Sequence, residues 1–365
     1  MGLPNRMLTP PPLIRGSFFR SDEIERVRVN HTLLSVSLLL SNACNLRCMY
    51  CYRDAGAQDT QLFILKEWKE VLTQVKALGA RNVWIPGSGE PMLDPVFYYA
   101  GNFPLIELAN SLGLSVTFFT NGTLLTKQLV RLIKQYDVSV ITKLNSFNPA
   151  VQDYLAGKSN VFEKVWRGLT LLIEAGFADN HSSRLGIDTV IVAQNYDEIP
   201  EMFKFCRDRN IIPYITANLH GGRACMNNQL DVSKNKLSVL FEQLLRIDQE
   251  EYGFTWFPSP PIVASQCKKL FYDIVVDSTG EVSLCPGIQL PIGNIRDNKL
   301  KDLMQASDLF QKIRNLPNKL EGKCRSCLST ECGYGCRLEA WAHGNLFGDD
   351  PMCWHEINTT TVAVQ

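Results

Sequence analysis

From residue 33 onward, apolar β-type runs alternate with amphipathic stretches, and this alternation narrows the possible folds more than any other property of the chain. LLSVSLLL is followed by LKEWKEVLTQVKALG, NVWIPG by FPLIELANSLG, and SVTFFT by LLTKQLVRLIKQY. VSVITKL is followed by FEKVWRGLTLLIEAG, IDTVIVA by IPEMFKFCRDRN, and IPYITAN closes the series. Strands followed by helices at this spacing predict a parallel sheet with right-handed crossovers. Six units are countable, two short of a closed barrel. A doubly wound open sheet has the same periodicity, but no GxGxxG follows the first strand. The expected fold is α/β, a partial (β/α)6 TIM-like barrel with its chemistry at the C-terminal ends of the strands.

At the first of those ends stands SNACNLRCMYCYRD, which sets Cys44, Cys48 and Cys51 in a CxxxCxxC array. Three thiolates leave one corner of a four-iron cluster open to a substrate or cofactor. Zinc sites usually arrive as CxxC pairs totalling four ligands, and a zinc site or reduced thiol cluster is the competing reading. The other cysteines are unevenly spread: Cys206 and Cys225 are isolated, and seven of the twelve fall between Cys267 and Cys353. With no signal-peptide pattern and no apolar run of transmembrane length, the cysteine content predicts metal or redox chemistry in a reducing cytoplasm, with no membrane span. Lys+Arg and Asp+Glu balance at 37 each, so the net charge lends no support to nucleic-acid binding.

On these residues the chain resembles the radical S-adenosylmethionine (radical SAM) superfamily, whose open cluster iron chelates SAM and whose reduced cluster cleaves it to a 5′-deoxyadenosyl radical. Further motifs extend the resemblance. GSGEP is similar to the family's GGEP, with Gly87, Gly89 and Glu90 facing the methionyl amino group, although Ser88 interrupts the glycine pair. FFTNGTLL places Asn121 and Gly122 at a strand end, where NG is also a generic turn signal. In VSVITKLNSF, Lys143 stands where the family has a serine; it either pairs with a substrate or SAM carboxylate or is a solvated strand-end lysine. Asn145 and Ser146 follow it. The fifth strand, RLGIDTVIVAQN, resembles the one beside the adenine, with Arg184, Asp188 and Asn195 as polar candidates, and Tyr50 is expected to touch the same base. Cys225, beside GGRA, is either a small buried residue or a hydrogen-atom donor.

The C-terminal cysteines resemble the SPASM extension: Cys267, GxxxxC ending at Cys285, then CRSCLSTECGYGC with Cys324, Cys327, Cys332 and Cys336, then Cys353. The gap between Cys327 and Cys332 is one residue shorter than the family pattern. The resemblance implies two auxiliary [4Fe–4S] clusters. One takes Cys324, Cys327, Cys332 and Cys353. The other takes Cys267, Cys285 and Cys336, leaving an open iron or a ligand such as Asp273. With the first cluster this makes three.

The expected organisation is an N-terminal extension (1–30), the barrel (31–228), a helical linker (229–263) and the SPASM domain (264–358). The extension is too short for the winged-helix peptide-recognition domain of some relatives. The resemblance implies an oxidoreductase or maturase that uses SAM, takes electrons from a donor such as flavodoxin or ferredoxin, and abstracts hydrogen from an unactivated C–H bond. Oxidation or crosslinking of a peptide is the expected outcome. Dehydrogenation or epimerisation of an aminocyclitol- or sugar-like small molecule is the alternative, and a non-enzymatic iron–sulfur electron carrier the second.

Overall fold

The computed structural model describes residues 8–17, 19–56, 62–179, 182–327 and 331–355. Parts of the expected extension (1–7 and 18) and the end of the expected SPASM domain (356–358) lie outside them. Helix α1 (Ser21–Asn30) precedes strand β1 (Ser35–Leu39), and the alternation then runs α2 (Leu65–Ala77), β2 (Asn82–Ile85), α3 (Pro104–Ser111), β3 (Ser115–Thr120), α4 (Lys127–Ile133) and β4 (Val138–Lys143). Two helices, α5 (Pro149–Ala156) and α6 (Phe162–Glu174), lead to β5 (Leu185–Ile191), followed by α7 (Ile199–Asp208) and β6 (Ile212–Ala217). Helix α5 is absent from the sequence-based expectation, although Asn148 caps it and Pro149 opens it. After α8 (Lys234–Ile247) come β7 (Val275–Asp277), β8 (Glu281–Ser283) and β9 (Gly293–Asn294), then α9 (Leu300–Ala306), α10 (Asp308–Arg314), α11 (Gly322–Ser326) and α12 (Arg337–Ala342). Among the described residues no helix is long and apolar enough to cross a membrane.

The strands form one sheet in the order β6-β5-β4-β3-β2-β1-β7-β8-β9. Strands β1 to β6 are mutually parallel, as expected. They also curl. Trp84 of β2 and Tyr214 of β6 are four strands apart, about 19 Å in a flat sheet, yet their ring centroids are 6.4 Å apart. Only a sheet rolled into a partial barrel brings them across a lumen. Ile14, Trp84, Ile141 and Ile212 form a small apolar cluster there, and the segment carrying Ile14 plugs the N-terminal end of the strands. Its Arg15 carbonyl accepts from Ser139 Oγ at 2.9 Å and its amide donates to the Ser183 carbonyl.

The cysteine-rich part does not leave the sheet. Val263 N donates to the Ile215 carbonyl and Ala217 N to the Pro261 carbonyl, so residues 261–263 run along the free edge of β6. A few residues later β7 pairs in parallel with the opposite edge, Ser37 against Val275 and Leu39 against Asp277. The intervening stretch, with Cys267, Lys269 and Asp273, therefore spans the barrel's open seam, and both edge strands gain hydrogen-bond partners.

Candidate functional site

The loop after β1 carries Cys44, Cys48 and Cys51, and the ends of the neighbouring strands hold it from several sides. Glu90 N donates to the Ala43 carbonyl at 2.8 Å and Gly56 N to the Asn42 carbonyl at 2.7 Å. Asn121 Nδ2 donates to Asn45 Oδ1 at 2.8 Å, and Asn45 Nδ2 to Thr123 Oγ1. From α5, the Leu155 and Ala156 carbonyls accept from Met49 N and Arg47 N. Gly89 is required by this packing: a Cβ there would lie 2.1 Å from the Ala43 carbonyl oxygen, closer than any real contact. The conformation that brings Gly122 to Thr142 likewise has φ +74°, the left-handed region that favours glycine.

Two of the three thiols are held above the ordinary thiol range. Burial pushes Cys48 to about 11, with the Cys44 and Cys51 sulfurs adding to the rise and the Tyr50 hydroxyl opposing it. Burial also raises Cys44, with Glu90 and Cys51 reinforcing it. Among the described residues no cysteine is joined in a disulfide. Buried neighbouring thiols that resist ionisation are a set that bound iron would hold as thiolates. Among the described residues no group of three or more His, Cys, Asp or Glu side chains is arranged to hold a single metal ion.

Glu90 is 2 % exposed and accepts from Asn121 N at 2.7 Å, Thr120 Oγ1 at 2.8 Å and Met92 N at 3.2 Å. Burial raises its carboxyl to about 7 against those three donors. Lys143 is an interior residue rather than a solvated strand end: its Nζ lies 2.7 Å from Asp188 Oδ2 and 4.7 Å from the Tyr50 ring centroid. Tyr50 packs with Leu155, Val190, Val192 and Leu230. Asn145 accepts from Val190 N at 2.8 Å, while its buried Nδ2 has no conventional hydrogen-bond partner and leans toward the Tyr50 hydroxyl. Asn195 donates to the Asn145 and Val190 carbonyls and braces the ends of β4 and β5. Ser146 turns away to Glu198. The structure thus sets Tyr50, Gly89, Glu90, Asn121 and Lys143 at the cysteine loop, with Asn145 and Asn195 bracing the adjacent strand ends.

Arg184 is not among them. It precedes β5 and donates to the Val138 and Tyr136 carbonyls at 2.6 and 2.9 Å. That places it at the N-terminal end of the sheet, about 20 Å from the strand ends. Asp273 is likewise committed elsewhere. Its two carboxylate oxygens accept from Ser35 Oγ at 2.5 Å and Ser37 Oγ at 2.6 Å, binding the seam to β1 instead of offering a ligand. Cys225 is exposed on the 222–226 turn, and Cys206 is a buried core residue at 2 % exposure.

Burial raises several of the C-terminal thiols, and neighbouring sulfurs add to the rise. The Cys267 sulfur contributes to the rise of both Cys285, pushed by burial to about 11, and Cys336. Cys324 and Cys327 contribute to that of Cys332, and Cys324 to that of Cys353. Fully buried Asp350 accepts from Cys336 N at 2.7 Å and Met352 N at 2.9 Å.

Several residues were missed. Arg223 clamps the first loop, with its backbone N on the Cys51 carbonyl and its guanidinium on the Cys48 and Ala55 carbonyls and on Asp54. Arg53 donates to the Pro286 carbonyl at 2.8 Å, next to Cys285, and the sulfurs of Cys51 and Cys285 both act on the buried Tyr52 hydroxyl. GGRA and CYRD were visible as motifs, but their partners lie far away in sequence. Burial pulls the Lys269 ammonium below its ordinary range, while Asp273 opposes it.

His220 joins the barrel rim to α12. Its Nδ1 lies 2.8 Å from Glu339 Oε2 and its Nε2 lies 3.2 Å from Asp231 Oδ1. The Glu339 hydrogen bond raises the imidazole from 6.5 to about 9 against its burial. A raised folded-state value means the contribution is full below pH 6.5 and is lost as pH climbs through 9. We expect the wild type to lose about 2 kcal/mol of stability over that interval relative to His220→Gln. Denaturant midpoints at pH 6 and 9.5 measure it, and parallel pH profiles for the two proteins would refute it.

The description "Radical SAM superfamily" matches residues 38–206, and "Iron-sulfur cluster-binding domain", SPASM, matches residues 267–328. The AdoMet-dependent heme synthase of Methanosarcina barkeri is 24% identical over 342 residues, covering 86% of this chain and 94% of that protein. The mycofactocin maturase MftC of Mycolicibacterium smegmatis is 27% identical over 330 residues, covering 86% and 81%. Streptococcus suis SuiB, in its crystal structure with S-adenosylmethionine, shares the fold at a TM-score of 0.66 and 19% identity, covering 93% of this chain and 84% of SuiB. Residues 38–206 form a radical SAM domain and residues 267–328 a SPASM domain, and the chain is an enzyme of the radical SAM class.

Proposed function

We infer that the protein is a maturase that oxidises or crosslinks a peptide, using SAM at the Cys44–Cys48–Cys51 loop. The observation that carries this reading is the trio of mutually close thiols at the strand ends, stitched through Ala43 and Asn45 to Glu90 and Asn121. Those thiols would hold a [4Fe–4S] cluster, and Glu90, Asn121, Tyr50, Lys143 and Asn145 would surround SAM. Bound there, the pair would supply reductive cleavage of SAM and abstraction of a hydrogen atom from an unactivated C–H bond. Glu90, held by three donors, presents a fixed carboxylate beside the loop, and the Lys143–Asp188 pair fixes the polar floor beneath Tyr50. Cys324, Cys327, Cys332 and Cys353 would hold a second cluster, and Cys267, Cys285 and Cys336 a third. Arg53 links the first loop to the third set.

Support for a peptide substrate comes from the seven SPASM cysteines, enough for most of two clusters, and from likeness to the maturase MftC and to SuiB, whose structure was solved with precursor peptide SuiA. The heme synthase match, over 94% of that protein, favours the small-molecule reading. In the test, the anaerobically reconstituted protein is reduced and mixed with SAM. 5′-Deoxyadenosine, with about twelve iron and twelve sulfide per chain, is the expected result; none from fully loaded protein would leave an electron carrier. A flavodoxin or ferredoxin is the proposed reductant. Solvent deuterium appearing in product, and lost in Cys225→Ala, would identify an epimerase.

A further inference from the structure

We propose that the cavity between the barrel's inner wall, the 262–272 seam and the N-terminal segment is a receptor for a carboxylate carried next to a flat apolar group, with Lys269 as its cation. This deepens the reading above by naming the substrate's chemistry. The cavity has a volume of about 790 Å³ and is lined by Trp84, Tyr214, Ile262, Cys267, Lys269 and Tyr272, among others. That volume is typical of small-ligand sites, which take orientation from a few placed polar groups in an apolar wall. The N-terminal proline segment, residues 10–12, forms another part of the wall.

One buried donor in this wall has no acceptor, and one half-buried cation holds its acceptors only loosely. The Lys269 Nζ stands 3.7 Å over the Trp84 ring centroid, and its polar neighbours are loose: Ser37 Oγ at 3.5 Å and Asp273 Oδ2 at 4.0 Å. The Asp273 oxygens are already engaged by Ser35 and Ser37. The Trp84 indole N–H is buried with no hydrogen-bond partner. Buried donors are ordinarily satisfied, and leaving them unpaired is costly. Arg207, elsewhere in the same wall, shows the contrast: it is paired with Asp248 at 2.7 Å. A carboxylate has an oxygen for each donor, and the aromatic rings of Trp84, Tyr214 and Tyr272 suit a flat group beside it. Cys267 lines the same space, so a ligand held by Lys269 sits beside the third cysteine set.

The test uses the reconstituted enzyme with SAM in excess and equilibrium dialysis of two probes, N-acetyltyrosine and N-acetyltyrosinamide. The acid is expected to bind roughly tenfold or more tightly than the amide. Lys269→Met should bring the two to within about twofold, while Lys269→Arg should keep the preference. Iron content and circular dichroism check that the variants are folded and loaded. If Lys269→Met does not fold, Trp84→Phe keeps the aromatic wall but removes the N–H, and should weaken the acid alone. Equal binding of acid and amide, no binding of either at millimolar concentration, or a preference that survives Lys269→Met would overturn the proposal. 3-Phenylpropionate as a third probe separates a small aryl acid from a peptide end: the tighter binder of the two acids names the source. A wild type that prefers the acid but releases no 5′-deoxyadenosine would sink the catalytic reading and leave this site standing.

Discussion

Cys48→Ala is expected to lower iron by about four per chain and to reduce 5′-deoxyadenosine formation to background, while the C-terminal groups stay loaded. The reason is positional. Cys48 is the middle of three cysteines, with the sulfurs of the other two acting on it, and its carbonyl is also where Arg223 grips the loop. Two remaining thiols cannot retain a four-iron cluster against exchange. Cys332→Ala should also lose iron but keep SAM cleavage, because the sulfurs that act on it are those of Cys324 and Cys327 and not those of the first loop. Iron, sulfide and nucleoside measured on both variants check the contrast. If Cys332→Ala abolished SAM cleavage and Cys48→Ala spared it, the roles assigned to the two groups would be reversed.

The second large effect is expected from one added methyl group. Gly89→Ala puts a Cβ 2.1 Å from the Ala43 carbonyl oxygen and 2.7 Å from two further backbone carbons. Because the obstacle is backbone, relief requires the cysteine loop to move off the end of β2. That movement stretches the 2.8 Å bond from Glu90 N to Ala43. Overpacking of this kind costs about 1–3 kcal/mol, a Tm drop of roughly 1–4 °C for a chain of this length. SAM affinity should fall more steeply than stability, since the displaced backbone carries Cys44 and Glu90 together. Gly186→Ala is the control: its added carbon meets the Ile141 side chain at 3.1 Å and the Ile212 carbonyl only at 3.4 Å. Calorimetry and a SAM titration compare the two, and equal losses would contradict the argument.

The particular residues show why some of the site was readable in advance. Cys44, Cys48 and Cys51 are close in sequence and sit on one loop, so their spacing was enough to group them. The C-terminal sets are spread over many residues, and only the resemblance to the SPASM pattern suggested how to group them. Gly89 and Glu90 could be placed because a Gly-rich turn at a strand end has few alternatives. Arg184 was misplaced for a physical reason: it lies at the wrong end of its strand, and only likeness to a family segment recommended it. Asp273 was a reasonable acid near Cys267 by sequence, but Ser35 and Ser37, more than 230 residues earlier, take both its oxygens. Lys269 drew no notice because a lysine beside a cysteine is unremarkable until Trp84 and the lumen are placed around it.

The sequence by itself determined the six-strand alternation and the gathering of cysteines after the first strand and in the C-terminal quarter of the chain. These depend on periodicity and short-range spacing, which a chain carries in linear form. The tertiary structure decided how the 261–277 stretch crosses the open seam from β6 to β1, which polar side chains are used up by distant partners, and which donors are left facing the cavity. These depend on pairings between residues far apart in the chain, which closure of the sheet creates and which no local pattern encodes.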